Sequence, residues 1–265
     1  MEKDININKL LSSINELVDQ LGLTLIEKQK LEILLKTYDD INFLKTLDKK
    51  NIYNITQLME SSRSQARQDL FVLSQLDLKQ NGYFVELGAA DGLIGSNSYL
   101  LEKQFGWQGI LVEAAKYWHT RLTNNRRVNI EKKCVWSSSN KELMFRETET
   151  LKQLSTIEIC KDLNKTTSLR ENGELYKVDT ISLLDLLRKY KAPNIIEYLS
   201  MDTEGSEYEI IRDFDFEKYK FRVITIERNN NREKIFTLLK SKGYKRILTE
   251  ISKPDDWYIF ADFQD

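Results

Sequence analysis

Two groups of carboxylates, each set beside a glycine, are the residues whose types and spacing could do chemistry. The first lies in Glu86-Leu87-Gly88-Ala89-Ala90-Asp91-Gly92, at the end of a short apolar run, and the next such run ends in Glu113. Glu113 falls 21 positions after Gly92 (113 − 92), close to the roughly 20 residues at which nucleotide-binding folds place a ribose-binding carboxylate. Gly88 suits a tight turn, because glycine accepts backbone angles that a Cβ opposes. A dinucleotide site needs a further glycine for backbone approach to the pyrophosphate, but this chain has Ala90 there. Glu86 adds a negative charge that would repel a pyrophosphate and attract an ammonium. The loop therefore prefers a positively charged, phosphate-free nucleoside, and S-adenosylmethionine fits that description.

The second group is Asp202, Glu204 and Glu207 around Gly205, with Glu227 and Asn229 ending a later apolar run. Carboxylates so placed serve either as a general base for a hydroxyl or as ligands for a divalent cation such as Mg²⁺. Asp202 is the best placed to meet cofactor or acceptor. Asp202, Glu204 and then Glu227 are the catalytic candidates, and Asp202 with Glu204 the candidate cation ligands. Glu207 reads equally well as an acidic residue opening a helix. The single histidine, His119, rules out a multi-histidine metal site and disfavours a Ser-His-Asp arrangement. Cys134 and Cys160 lack metal-ligand spacing. Cys134 reads as packing, and the four tryptophans as core or cofactor wall.

The positioning elements follow from periodicity. Residues 1–60 read as a helical segment, a cap or oligomer contact. Leu10, Leu11, Ile14, Leu17, Val18 and Leu21 recur at helical steps. A capping box at Thr24–Glu27 opens a second helix carrying Leu31, Leu34, Leu35, Tyr38 and Ile41. Residues 61–265 alternate strand and helix, with strands expected over 83–87, 109–113, 128–135, 195–201, 221–227, 244–248 and 257–260. That order calls for a Rossmann-like, doubly wound, mostly parallel seven-stranded α/β sheet with an antiparallel strand near one edge. Ligands bind such sheets beyond the carboxyl ends of the strands. Residues 140–175 read as a polar, irregular excursion covering the substrate.

Several ordered blocks resemble the FkbM family of methyltransferases. They are Phe84–Gly92 with Ser96-Asn97-Ser98, Gly106–Glu113, Leu199–Glu207, Ile226–Asn229, Ser64–Asp69 and Asp255–Tyr258. The resemblance spans roughly residues 62–262 and leaves the helical N-terminus unmatched. It implies a class I methyltransferase using S-adenosylmethionine. Glu86, Gly88 and Gly92 would shape the pocket for the amino-acid part of the cofactor, with Ser96 and Asn97 close by. Glu113 would hold the ribose, and Cys134-Val135 would lie beside the adenine. The implied reaction is O-methylation of a sugar, glycan or other small natural product. The family often carries a histidine where this chain has Arg228, so a histidine base is absent there, and Arg228 could instead meet an anionic substrate.

Composition narrows the partners. Forty basic residues nearly cancel 41 acidic ones, for a net charge of −1, which argues against general affinity for nucleic acid. Arg126-Arg127 and Lys132-Lys133 read as solvated surface. The N-terminus carries no apolar signal core and no stretch is long enough to span a membrane, so a cytoplasmic protein is expected, with a small-molecule or glycan acceptor and a homodimer through the N-terminal helices. Two rival readings are a non-catalytic scaffold on the same fold and a nicotinamide-dependent oxidoreductase, the latter opposed by Ala90 and Glu86.

Overall fold

The strands that the apolar runs announce assemble into one seven-stranded sheet in a computed structural model, which describes residues 28–162 and 170–261. The chain divides into two units, Met1–Thr46 and Leu47–Asp265. In the first, α1 (Lys28–Lys45) covers the second periodic stretch, but Leu35, Tyr38 and Ile41 face solvent instead of a buried seam. The expected first helix and the capping box lie outside the described residues.

The larger unit begins with α2 (Lys49–Leu58), so the segment expected to end at residue 60 is divided earlier. Ile55 of α2 is fully buried, and Asn51 Nδ2 donates to Ser74 O on α3 (Gln68–Gln75) at 3.0 Å. These contacts bind α2 to the larger unit.

The chain then runs through β1 (Tyr83–Leu87), α4 (Tyr99–Phe105), β2 (Gln108–Val112), α5 (His119–Asn125), β3 (Asn129–Glu131) and β4 (Cys134–Trp136). There follow β5 (Glu142–Glu147), β6 (Thr156–Ile157), β7 (Glu174–Ser182), α6 (Leu183–Lys189), β8 (Ile195–Met201) and α7 (Glu207–Ile211). Last come β9 (Lys220–Glu227), α8 (Arg232–Ser241), β10 (Tyr244–Ile247) and β11 (Asp255–Phe260). The large sheet has the order β10-β11-β9-β8-β1-β2-β3. It is mixed: β9, β8, β1, β2 and β3 pair in parallel, whereas β11 is antiparallel to both neighbours.

The parallel strands are apolar almost throughout, since both faces must be covered. Ile196 to Met201 of β8 are all buried. The cover on each face is visible at β11, where adjacent side chains point to opposite sides. Asp255 accepts a hydrogen bond from Gln68 of α3, and Asp256 one from Arg232 of α8.

Two expectations need correction. The predicted strand 128–135 is two strands in different sheets, because Lys132 and Lys133 break the apolar run between β3 and β4. Residues 140–175 are not simply irregular: β5, β6 and β7 form with β4 a second sheet in the order β4-β7-β5-β6. Its alternating polar and apolar residues read as loop because only one face is buried, with Phe145, Ile157 and Val178 packed on Cys134 and Ala115.

Candidate functional site

The bend after β1 fits only glycine. Gly88 has φ +87°, and a Cβ there would lie 1.8 Å from Asp202 O. Asp202 N donates to Leu87 O at 3.0 Å, and Gly88 N and Ala89 N both donate to Val112 O at 3.0 Å. The ends of β8, β1 and β2 are thereby locked together, bringing Asp202, the glycine bend and Glu113 to one edge of the sheet. Gly92 (φ +71°) packs equally tightly, its missing Cβ replaced by Leu122 and Arg126 side-chain atoms at 2.6 and 2.7 Å.

Glu113 is buried. Its two oxygens accept from Ala90 N at 2.8 Å and Ala115 N at 2.7 Å. A carboxylate has about four acceptor positions, which leaves room for the two hydroxyls of a ribose. Burial pushes its pKa up to about 7, and the negative charge of Glu147 adds to the effect. His119 Nε2 lies 3.0 Å from Glu113 O, and burial lowers the imidazole pKa, so the ring braces the end of β2.

Glu86 corrects the expectation of an open negative notch. Its carboxylate accepts from Asn97 N at 2.8 Å, Ser96 Oγ at 3.1 Å and Ser98 Oγ, with Arg126 Nη1 at 3.8 Å. A buried carboxylate needs such partners, and here they come from the protein itself. Arg126, read from sequence as surface, is a fully buried hub. It also donates to Glu102 (2.5 Å), Gly92 O (3.0 Å), Ser96 Oγ (3.0 Å) and Ser98 Oγ (2.9 Å). An Arg-Arg pair after a helix gives no warning that one member turns inward. Asn97 Nδ2 donates to Ser200 Oγ at 2.9 Å, while buried Asn97 Oδ1 has no hydrogen-bond partner among the described residues.

The second carboxylate group does converge. Asp202, Glu204 and Glu227 each present an oxygen, all within 4.8 Å of one another. Asp202 is open to solvent, yet dense surrounding protein and the charges of Glu204, Asp255 and Glu207 drive its carboxyl well above the usual range. Glu227, hydrogen-bonded to Asp202, is raised by burial and by the same crowd of negative charge. The Asp202–Glu227 pair thus retains a proton. Glu204 is held by Arg170 Nη2 at 2.5 Å, in a left-handed backbone conformation at φ +60°. Arg170 itself is buried and donates to Leu154 O and Lys161 O at 2.8 and 3.0 Å, tying the second sheet's connecting turns to Glu204.

Glu207 turns out to organise the loop. It accepts from Thr203 N at 2.8 Å, Thr203 Oγ1 at 3.0 Å, Gly205 N at 3.1 Å and Asn229 Nδ2 at 2.5 Å. Asp255, which sequence placed in a resembling block but not among the site candidates, faces Glu227 across the β9–β11 pairing, and burial pushes it to about 7. Arg228 does not point at these carboxylates: Nε donates to Asp256 at 2.9 Å and Nη2 to Thr249 O and Ser252 Oγ. Cys134 and Val135 are buried on β4, with the thiol pKa raised by burial, which suits a wall and not a nucleophile. Trp107 and Trp257 are core residues, the latter stacked on Phe71 at 4.3 Å.

These features define an α/β protein with a carboxylate-rich site at the ends of its parallel strands. The chain belongs to the FkbM methyltransferase family, whose methyltransferase FkbM domain matches residues 86–248. No curated protein matches the chain. Among solved structures, an FkbM methyltransferase from Methylobacillus flagellatus KT is 11% identical with a TM-score of 0.44, over 87% of this chain and 60% of that one. A precorrin-6y C5,15-methyltransferase from Geobacter metallireducens GS-15 is 13% identical with a TM-score of 0.39, over 68% of this chain and 72% of that one.

Proposed function

We propose that this chain is an S-adenosylmethionine-dependent O-methyltransferase of the class I, Rossmann-like type, acting on a hydroxyl of a sugar, glycan or other small natural product. The observation that carries the reading is the convergence of the Gly88 bend, buried Glu113 and solvent-open Asp202 at one sheet edge. The donor set fits the cofactor. Glu113 retains acceptor positions for the ribose, Cys134 and Val135 offer an apolar wall for the adenine, and Asn97 Oδ1 is a buried acceptor of the kind an ammonium satisfies. Because Glu86 is neutralised internally, it supports this pocket by holding Ser96 and Asn97 in place.

When bound, S-adenosylmethionine supplies a methyl group activated by its sulfonium. The protein must then align the acceptor oxygen and take its proton. Asp202 is the accessible member of the carboxyl pair, so it meets the acceptor and, as the unprotonated partner, receives the proton. Its high proton affinity makes it a stronger base than an ordinary carboxylate. Glu227 stabilises the pair by sharing the proton, and Glu204, fixed by Arg170, sets the local charge.

A hard-oxygen cation such as Mg²⁺ is a second role for Asp202, Glu204 and Glu227, supported by their common spacing. Such an ion would displace the shared proton, so its binding would tighten as pH rises. Calorimetric titration with S-adenosylmethionine tests the main reading: saturable binding, lost on Glu113→Ala, is expected. Indifference to millimolar cofactor would leave the non-catalytic scaffold. The exposed Leu35, Tyr38 and Ile41 of α1 support that assembly role and a homodimer. Among the described residues, no helix is long and apolar enough to cross a membrane.

A further inference from the structure

The face of β11 turned away from the catalytic carboxylates carries a second charged group of opposite character. Asp256 is buried and meets three guanidinium groups: Arg228 Nε at 2.9 Å, Arg232 Nε at 2.6 Å and Nη2 at 2.9 Å, and Arg246 Nη1 at 3.2 Å. Among the described residues, Glu233, a largely exposed side chain, lies 3.4 Å from Arg246, and Arg228 also acts electrostatically on Asp255. Three guanidinium groups face the buried Asp256 and the exposed Glu233, with Asp255, itself raised to about 7, near Arg228, so positive charge remains in surplus while Asp255 holds its proton.

The group is also built to stay in place. Arg246 and Tyr258 are direct cross-strand partners, and Asp256 lies two residues from Tyr258, so all three project from the same face. Arg246 stacks on Phe236 of α8, 4.0 Å from the ring centroid. Arg228 is tied to Thr249 O and Ser252 Oγ at 2.7 and 2.9 Å. One observation points to a missing negative partner. Arg228 Nη1 and Arg232 Nη1, on partly exposed side chains, carry no hydrogen bond among the described residues. Arg232 further opens α8, whose N-terminal dipole favours an anion.

We propose that Arg228, Arg232 and Arg246 form an anion subsite that takes a phosphate monoester. The inference deepens the functional reading above by naming the substrate class. Glu227 and Arg228 are consecutive at the end of β9, and Asp255 and Asp256 at the start of β11. The methyl-accepting edge and the guanidinium group therefore lie on opposite faces at one rim of the sheet, and a phosphorylated sugar would reach over that rim, its phosphate at the arginines and a hydroxyl toward Asp202. Planar guanidinium forks are suited to phosphate oxygens.

The test is calorimetric titration of the full chain with inorganic phosphate and with glucose 1-phosphate at constant ionic strength, in wild type, Arg232→Ala, Arg246→Gln and the distant Arg188→Ala. Saturable binding of either probe is expected, weakened about tenfold or more in the first two variants and unchanged in the third. Tighter binding of the sugar phosphate would mark the subsite as part of acceptor recognition. Binding of inorganic phosphate alone would make it a site for the free ion and overturn the substrate class. Equal binding in all variants, or none in wild type, overturns the subsite. S-adenosylmethionine titration of the same proteins reports on the functional reading separately, since the substituted residues contact none of the proposed cofactor side chains.

Discussion

The buried Glu113 gives a prediction whose sign and size follow from its surroundings. Its carboxyl is raised from an ordinary 4.5 to about 7, burial being the largest cause. The folded state then binds more protons than the unfolded state between those values, so the contribution to stability is complete below about pH 4.5 and lost as pH rises past about 7. A shift of roughly 2.5 units at 1.36 kcal/mol per unit corresponds to about 3 kcal/mol. Glu113→Gln removes this titration while keeping the shape of the side chain. Any loss of the Ala90 and Ala115 hydrogen bonds costs about 1 kcal/mol each at every pH, and so cancels when pH values are compared. Urea unfolding of both proteins without added cofactor, at pH 5 and pH 8, measures the difference. The variant should gain on wild type by about 2–3 kcal/mol between the two conditions. Ribose hydroxyls donate to the charged carboxylate, so cofactor binding to wild type should release a proton near pH 7, visible as a buffer-dependent enthalpy that Glu113→Gln abolishes. Parallel pH profiles of stability for the two proteins would refute the assignment of a neutral, buried carboxyl at this position.

Two further outcomes follow from the carboxylate group. Asp202→Asn should lower the rate of methyl transfer by about 10²–10⁴-fold while leaving S-adenosylmethionine affinity within a few-fold, whereas Glu207→Gln should act mainly on thermal stability, because Glu207 holds its own loop; single-turnover kinetics and melting curves separate the two. Arg170→Met should cost about 3–5 kcal/mol by removing the guanidinium from buried Glu204, and adding Glu204→Gln should recover much of that loss in denaturant titrations.

Much of the geometry of the candidate site was legible because it is written in local signals. Gly88 announces a bend, the apolar runs announce strands, and the spacing from Gly92 to Glu113 announces a carboxylate on the neighbouring strand. The convergence of Asp202, Glu204 and Glu227 followed from their positions at strand ends. The partners of each charge were not legible. Arg126 and Arg170 reach their sites from distant parts of the chain with nothing in their immediate neighbours to mark them, and Gln68 and Asp255 lie in resembling blocks that do not say which charge each one meets. The second sheet was hidden for a related reason: strands with one buried face show alternation that a polar stretch of sequence conceals.

The sequence alone thus determined the α/β class, the glycine-bounded edge and which acids lie there, since these depend on periodicity and on short-range backbone geometry. Only the tertiary structure decided which of those acids already have protein partners. Glu86 is matched by Arg126, Glu204 by Arg170 and Glu207 by its own turn, while Asp202 stays open to solvent. The physical reason is that the cost of a buried charge depends on what the fold brings within a few ångströms of it, and that distance is set by contacts across the whole chain.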